Sequence, residues 1–252
     1  MKRIESRLNP QVKQWKKLQM KKERDNTGKF IIEGPHLVEE ALKKKGYIEE
    51  ILLTESFQVP SKWNLDELQV IIVSQEVMNE LGETETPQGV AAICKKPQHK
   101  LDEAATGAYL LIDAVQDPGN LGTLIRTADA AGISGVIVGE GTVDVFNSKV
   151  IRASQGSIFH IPIVKGCLNE WIPKLQSLGH TVYGTSLENA EPYINVTPTQ
   201  PFSLIVGNEG RGVQKEWLSV TNQNLYIPIY GSAESLNVTV AAGILLYYLQ
   251  AK

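Results

Sequence analysis

Apolar residues along this chain come in two arrangements. Short runs of aliphatic and β-branched residues fall at 30–32, 49–54 and 70–73, and again at 109–112, 135–138, 159–164, 181–184, 203–206 and 225–229. Between several of them the spacing lengthens to that of a helix, as in 36–45, where Leu37, Val38, Ala41 and Leu42 share one face. Strands alternating with helices predict an α/β fold. The later runs are apolar at successive positions, as in strands buried on both faces, so they predict a mostly parallel sheet with helices on both faces. The polar stretch at 95–100, with Pro97 inside it, marks a boundary between a small α/β domain at 1–100 and a larger one at 101–252.

Three segments of the second domain carry candidate chemistry. The last strand run leads through a glycine turn and Ser235-Leu236-Asn237 into a helix without a charge. Leu236, Val238, Val240, Ile244, Leu245, Leu246 and Leu249 fall on every side of that helix, which predicts burial all round, in a core, a subunit interface or both. In the segment from Asp117 to Gly132, a Pro-Gly turn delivers Asn120 to a helix start. Leu121, Leu124, Ile125 and Ala128 form its apolar stripe, so Arg126 points away from the core. The third runs from Leu204 to Val213, a strand breaking into a loop with Gly207, Gly210 and Gly212 around Asn208, Glu209 and Arg211. Glycines there let backbone approach a ligand closely.

The motifs NLGTLIRTADAAG, IVGNEGRGV and IPIYGSAESLNVTVAAGILL, in this order, resemble the SpoU (TrmH) family of RNA ribose 2′-O-methyltransferases, over about residues 109–249. The segment FIIEGPHLVEEAL at 30–42 is similar to the start of the substrate-binding domain often placed before that catalytic domain. The resemblance implies a C-terminal trefoil knot, a homodimer, S-adenosylmethionine as methyl donor and structured RNA as acceptor, ribosomal RNA favoured over transfer RNA. It places Asn120, Arg126, Glu209, Ser235 and Asn237 in the catalytic set. Gly207, Ile227 and Leu236 would hold the cofactor, enclosed by the loops around Thr185, Asn208 to Gly210, and Ile229 to Ser235. Glu209 and Asn120 would orient and charge-balance Arg126. The family role of that arginine is base toward the 2′-hydroxyl, but a guanidinium with a pKa above about 12 is a poor base. Holding phosphate and stabilising an alkoxide is the alternative.

Composition narrows the remaining classes. Cys94 and Cys167 form no CxxC pair, and His36, His99, His160 and His180 are scattered among different elements, so no metal site is expected. The N-terminus has basic residues without an apolar stretch, and the apolar run at 238–249 is too short to cross a bilayer; a cytoplasmic protein without membrane partners is expected. The net charge of −3 hides an asymmetry: residues 1–30 hold ten Lys or Arg against Glu5, Glu23 and Asp25, a local balance of +7 that leaves −10 for the rest. Such a block is a solvated helix face or a phosphate footprint, and Trp15 in its midst favours RNA.

Two competing functions remain. A non-catalytic RNA-binding module of the same fold would not need Asn120, Arg126, Glu209 and Asn237. A nucleotide-binding oxidoreductase would need G-x-G-x-x-G, yet Asp144 stands where the third glycine after Gly139 and Gly141 belongs.

Overall fold

The computed structural model describes residues 2–84, 86–101 and 106–251. In chain order these form β1 (Lys2–Ile4), α1 (Pro10–Lys17), α2 (Lys21–Thr27), β2 (Lys29–Glu33), α3 (Pro35–Leu42), β3 (Ile48–Leu53), β4 (Gln69–Val73), α4 (Gln75–Leu81) and β5 (Val90–Lys95). There follow β6 (Tyr109–Ile112), α5 (Pro118–Ala130), β7 (Gly135–Val138), α6 (Ser148–Ser154), β8 (Ile163–Lys165), α7 (Leu168–Ser177), β9 (Thr181–Thr185), β10 (Glu191–Pro192), β11 (Phe202–Val206), α8 (Lys215–Leu218), β12 (Gln223–Tyr226) and α9 (Val238–Gln250). They pack as two compact units, one of 1–98 with 144–159, the other of 99–143 with 160–252.

The first unit is built on a five-stranded sheet in the order β1-β4-β3-β5-β2. β1 and β3 flank β4 in parallel, whereas β5 runs antiparallel to β3 and β2, so this sheet is mixed. Helix α1 turns Val12 and Trp15 onto it, joining a core with Leu52, Ile71, Met78 and Ile93. Trp15 is therefore a core residue whose indole N–H donates to Glu50 Oε2 at 2.7 Å, and it offers no platform for a base. The basic segment is largely committed as well. Arg3 pairs with Glu5 and Glu55, Lys16 with Glu80, Lys21 with Asp25, and Lys29 with Glu49. Arg24 is buried: Nη2 lies 2.7 Å from Asp144 Oδ2, while Nη1 donates to the carbonyls of Leu18 and Gln19. Lys13, Lys17 and Lys22 are exposed and have no ion-pair partner among the described residues.

The second unit holds a seven-stranded sheet in the order β10-β12-β9-β11-β6-β7-β8, parallel at every pairing. Tyr109, Leu111, Ile137, Val182 and Ile205 bury one face with Leu168, Ile172 and Leu175 of α7. Alternation sends Leu110, Ile112, Val136 and Leu204, all buried, to the other face. There α5 packs on β7 and on α9, and α9 packs on β11. Two strand expectations shift. The run at 159–164 is a strand only from Ile163, because Ser157–Phe159 coils into a tight 3₁₀ turn that buries Phe159. The last strand occupies 223–226, which leaves Ile227 and Ile229 in the loop beyond it.

Helix α9 departs most from expectation. Ala242, Leu245, Leu246 and Leu249 are buried, but Val240 and Tyr247 are 50% and 57% exposed, and Leu236 at the helix mouth is 37% exposed. Within one chain, the helix has an uncovered apolar face.

Candidate functional site

In a parallel sheet all strands end at one edge, and a ligand crevice opens where connections leave neighbouring strands in opposite directions. That point lies between β6 and β11. From β6 the chain moves outward through α5 to β7; from β11 it crosses the other way through α8 to β12. The loops that follow these two strands meet there.

Glu209, at the tip of the β11 loop, ties the cluster together. Its Oε1 accepts from the Asp117 amide at 3.0 Å and from Asn120 Nδ2 at 3.1 Å, and its Oε2 accepts from the Gln116 amide at 3.2 Å. Partial burial pushes its carboxyl upward, but donation from Asn120 and the surrounding amides outweighs this and holds it below the usual glutamate value. Asn120 Oδ1 in turn accepts from Asn237 Nδ2 at 3.1 Å, while Asn237 Oδ1 caps α9 through the Thr239 amide at 2.8 Å. A carboxylate, two amides and a helix start thus form one hydrogen-bonded chain.

The cap of α5 is Asp117, whose Oδ1 accepts from the Asn120 amide at 2.8 Å; Asn120 lies within the first turn and its side chain is free for Glu209 and Asn237. The Asp-Pro pair at the start of the helix signals this in the sequence, since Pro at the first helical position follows a capping residue; the expected Pro-Gly turn is the helix's own first turn. The expected pairing of Glu209 with Arg126 is not made. Arg126 is exposed and has neither a carboxylate nor a hydrogen-bond partner among the described residues, and Glu209 takes its hydrogen bonds from neutral donors instead.

The β11 loop is held in shape by close approach. A Cβ on Gly207 would come within 2.1 Å of Gly212 C, so no other residue fits. Asn208 exchanges backbone hydrogen bonds with Gly212, and its side chain accepts from the Gly210 and Arg211 amides and donates to Ala114 O at 2.9 Å. Around this loop, Thr185 ends β9 with its hydroxyl on Ile205 O at 3.0 Å, and Ile227 and Ile229 are half-buried. Ser235 is exposed at the mouth of α9, joined to the cluster only through the chain. Asp113 was not legible as a site residue: it is buried at the end of β6, where both its carboxylate oxygens accept from Gln214. Among the described residues, no group of three or more His, Cys, Asp or Glu side chains could hold a metal ion.

A parallel sheet with a polar cluster at its switch point, walled by glycine backbone, defines a domain that takes a nucleotide-like ligand beside a polar acceptor. Residues 107–247 match the SpoU rRNA Methylase family, and residues 9–92 match the MRM3-like substrate binding domain. The chain belongs to the SpoU rRNA methylase family. It is 52% identical to the 23S rRNA (guanosine(2553)-2′-O)-methyltransferase RlmP of Bacillus subtilis, over 99% of this chain and 100% of that protein. The 23S rRNA (uridine(2479)-2′-O)-methyltransferase of Streptomyces viridochromogenes is 32% identical over 97% of this chain and 90% of its own. Among solved structures, the AdoMet-bound rRNA methyltransferase from Sinorhizobium meliloti superposes with a TM-score of 0.87 at 32% identity, covering 99% of this chain and 97% of that one.

Proposed function

We propose that this protein transfers a methyl group from S-adenosylmethionine to the ribose 2′-hydroxyl of a guanosine in 23S rRNA. The full-length 52% identity to the Bacillus guanosine methyltransferase supports this reading most directly. The matched substrate-binding segment at 9–92 supports rRNA rather than a non-catalytic module, because it accompanies an intact polar cluster.

The cofactor fits the switch-point crevice. Gly207 presents bare backbone, Ile227 and Ile229 offer an apolar wall, and Thr185, Asn208, Gly210 and Leu236 border the opening. When bound, S-adenosylmethionine supplies a sulfonium methyl that is electrophilic without metal assistance. Glu209 and Asn120 fix the entry of α5; Asn237 fixes the entry of α9, and Ser235 stands beside it to position the ribose. Arg126, unpaired among the described residues, is left to hold the phosphate next to the acceptor and to stabilise charge developing on O2′. The exposed face of Leu236, Val240 and Tyr247 forms a homodimer interface that brings Arg126 to the partner's crevice. The segment leading into α9 closes a trefoil knot, and the protein works in the cytoplasm, where its RNA resides. No helix of the described residues is long and apolar enough to cross a membrane.

Mapping ribose methylation across rRNA and tRNA with and without the gene tests the reading. Loss of one 2′-O-methyl guanosine in 23S rRNA is expected. An unchanged 23S profile, or loss confined to tRNA, overturns it.

A further inference from the structure

We infer that Asp113 and Gln214 form a clamp that sets the shape of the cofactor loop, making Asp113 a positioning residue for S-adenosylmethionine binding; the inference rests on the methyltransferase reading. Asp113 follows β6 directly, is 2% exposed, and its amide donates to Val206 O at 2.8 Å, at the end of β11. Its Oδ2 accepts from the Gln214 amide at 2.8 Å and its Oδ1 from Gln214 Nε2 at 2.7 Å. Gln214 stands where the loop that starts at Gly207 returns to the body of the protein. Just before it, Val213 is buried in the core with Ile205 and Leu111. At the entry of the loop, Asn208 Nδ2 holds Ala114 O, the residue after Asp113.

Both ends of the loop are thereby fastened to the end of β6: Gly207 and Val213 are buried, while Glu209 to Gly212 between them, and Gln214 after them, are exposed. A buried carboxylate accepting two hydrogen bonds is stronger than a neutral acceptor and costly to disturb. The clamp touches neither the exposed tip nor Asn120, Arg126 or Asn237, so its effect reaches the ligand through backbone position alone.

The donor and acceptor pattern suggests a reciprocal exchange in the full-length protein. Asp113→Asn replaces the charged acceptor by a neutral amide, against which Gln214 must turn its own amide to keep the pair, and Gln214→Glu sets two carboxylates together. In the double variant the introduced amide donates to the introduced carboxylate, while its oxygen still accepts the backbone N–H. Gln214→Ala removes only the side-chain half and serves where a single exchange fails to fold. Loop amide hydrogen exchange is measured without ligand, S-adenosylmethionine affinity by calorimetry, and kcat and KM in steady state. Gln214→Glu should speed exchange at Gly210 to Gly212, weaken affinity at least about tenfold, and raise KM for the cofactor more than it lowers kcat, with Asp113→Asn showing the same effects to a smaller degree. The double variant should recover affinity to within about threefold of wild type. A Gln214→Glu variant that binds like wild type, or a double variant no better than it, overturns the clamp while leaving the methyltransferase reading intact. Wild-type protein that fails to bind S-adenosylmethionine at millimolar concentration overturns both.

Discussion

Arg126 stands out at the residue scale because, unlike Glu209, it is a charged member of the predicted catalytic set with no partner among the described residues. Arg126→Ala should lower turnover at least about a hundredfold, with melting temperature and cofactor affinity nearly unchanged. Arg126→Lys should not restore it, since a point charge lacks the planar fork that grips phosphate. Steady-state kinetics beside calorimetry check both, and near-normal turnover in the alanine variant would reduce Arg126 to a surface charge. Glu209 carries a second prediction. Its folded pKa is depressed, so the stability it contributes is present above the unfolded value, about 4.3, and is lost as pH falls through the folded one. Glu209→Gln should therefore flatten the acid limb of the urea-midpoint profile between pH 6 and 3. A variant whose midpoint falls as steeply as wild type would show that the amide donors contribute nothing. The residue types at this site are legible because three motifs in fixed order carry them. Their wiring is not: whether Glu209 meets Arg126 or Asn120 depends on how loops 89 positions apart in sequence approach each other, which no local pattern encodes.

At the scale of elements, the periodicity of α9 states that the helix wants burial but not what supplies it. α5 and β11 cover one side of it, and Val240 and Tyr247 on another side are exposed in the single chain. Val240→Glu should convert a homodimer to monomer in light scattering and depress turnover strongly while leaving the monomer folded. A dimer that persists would move the interface elsewhere. Helices α3, α5 and α9 and most strands are legible in the apolar spacing, whereas β1 is not. Its three residues, Lys-Arg-Ile, show no alternation, and it exists because β4 offers an edge to pair with. Burial of Trp15 is legible in its spacing, since Val12 and Trp15 fall on one face of α1, but the surrounding lysines equally fit a phosphate-binding face. The ion pair between α2 and the segment before α6 is a third case. Both side chains are 5% exposed, so Asp144→Ala should cost about 3–5 kcal/mol by stranding Arg24 in the interior. Arg24→Met with Asp144→Leu should recover most of that loss in a denaturant titration.

Across the whole molecule, the apparent +7 footprint shrinks once ion pairs are assigned. If RNA is gripped by this segment, Lys13, Lys17 and Lys22 are the groups free to do it. Replacing the three with alanine in the full chain should make affinity less salt-dependent, lowering the log–log slope by about 0.7–0.9 for each lysine that touches phosphate. Substituting Arg24 would instead report on folding. An unchanged slope in the triple variant would place RNA recognition on other residues, with Arg211 and Lys215 the first to examine.

The allocation of 144–159 also bears on how such proteins can be rearranged. This stretch lies inside the span matched by the methylase family, yet it packs with the N-terminal unit, contributing Phe146 against Phe30 and Phe159 against Tyr47. A cut at the polar linker therefore separates the sequence but not the cores. The excised C-terminal fragment would keep two aromatic rings and Asp144 without their companions, and an N-terminal graft onto another methylase would lack part of its own wall. Exchanging RNA-recognition parts between relatives thus requires two segments to travel together, so the first unit is inherited less as a detachable cassette than as a joint property of both halves of the gene.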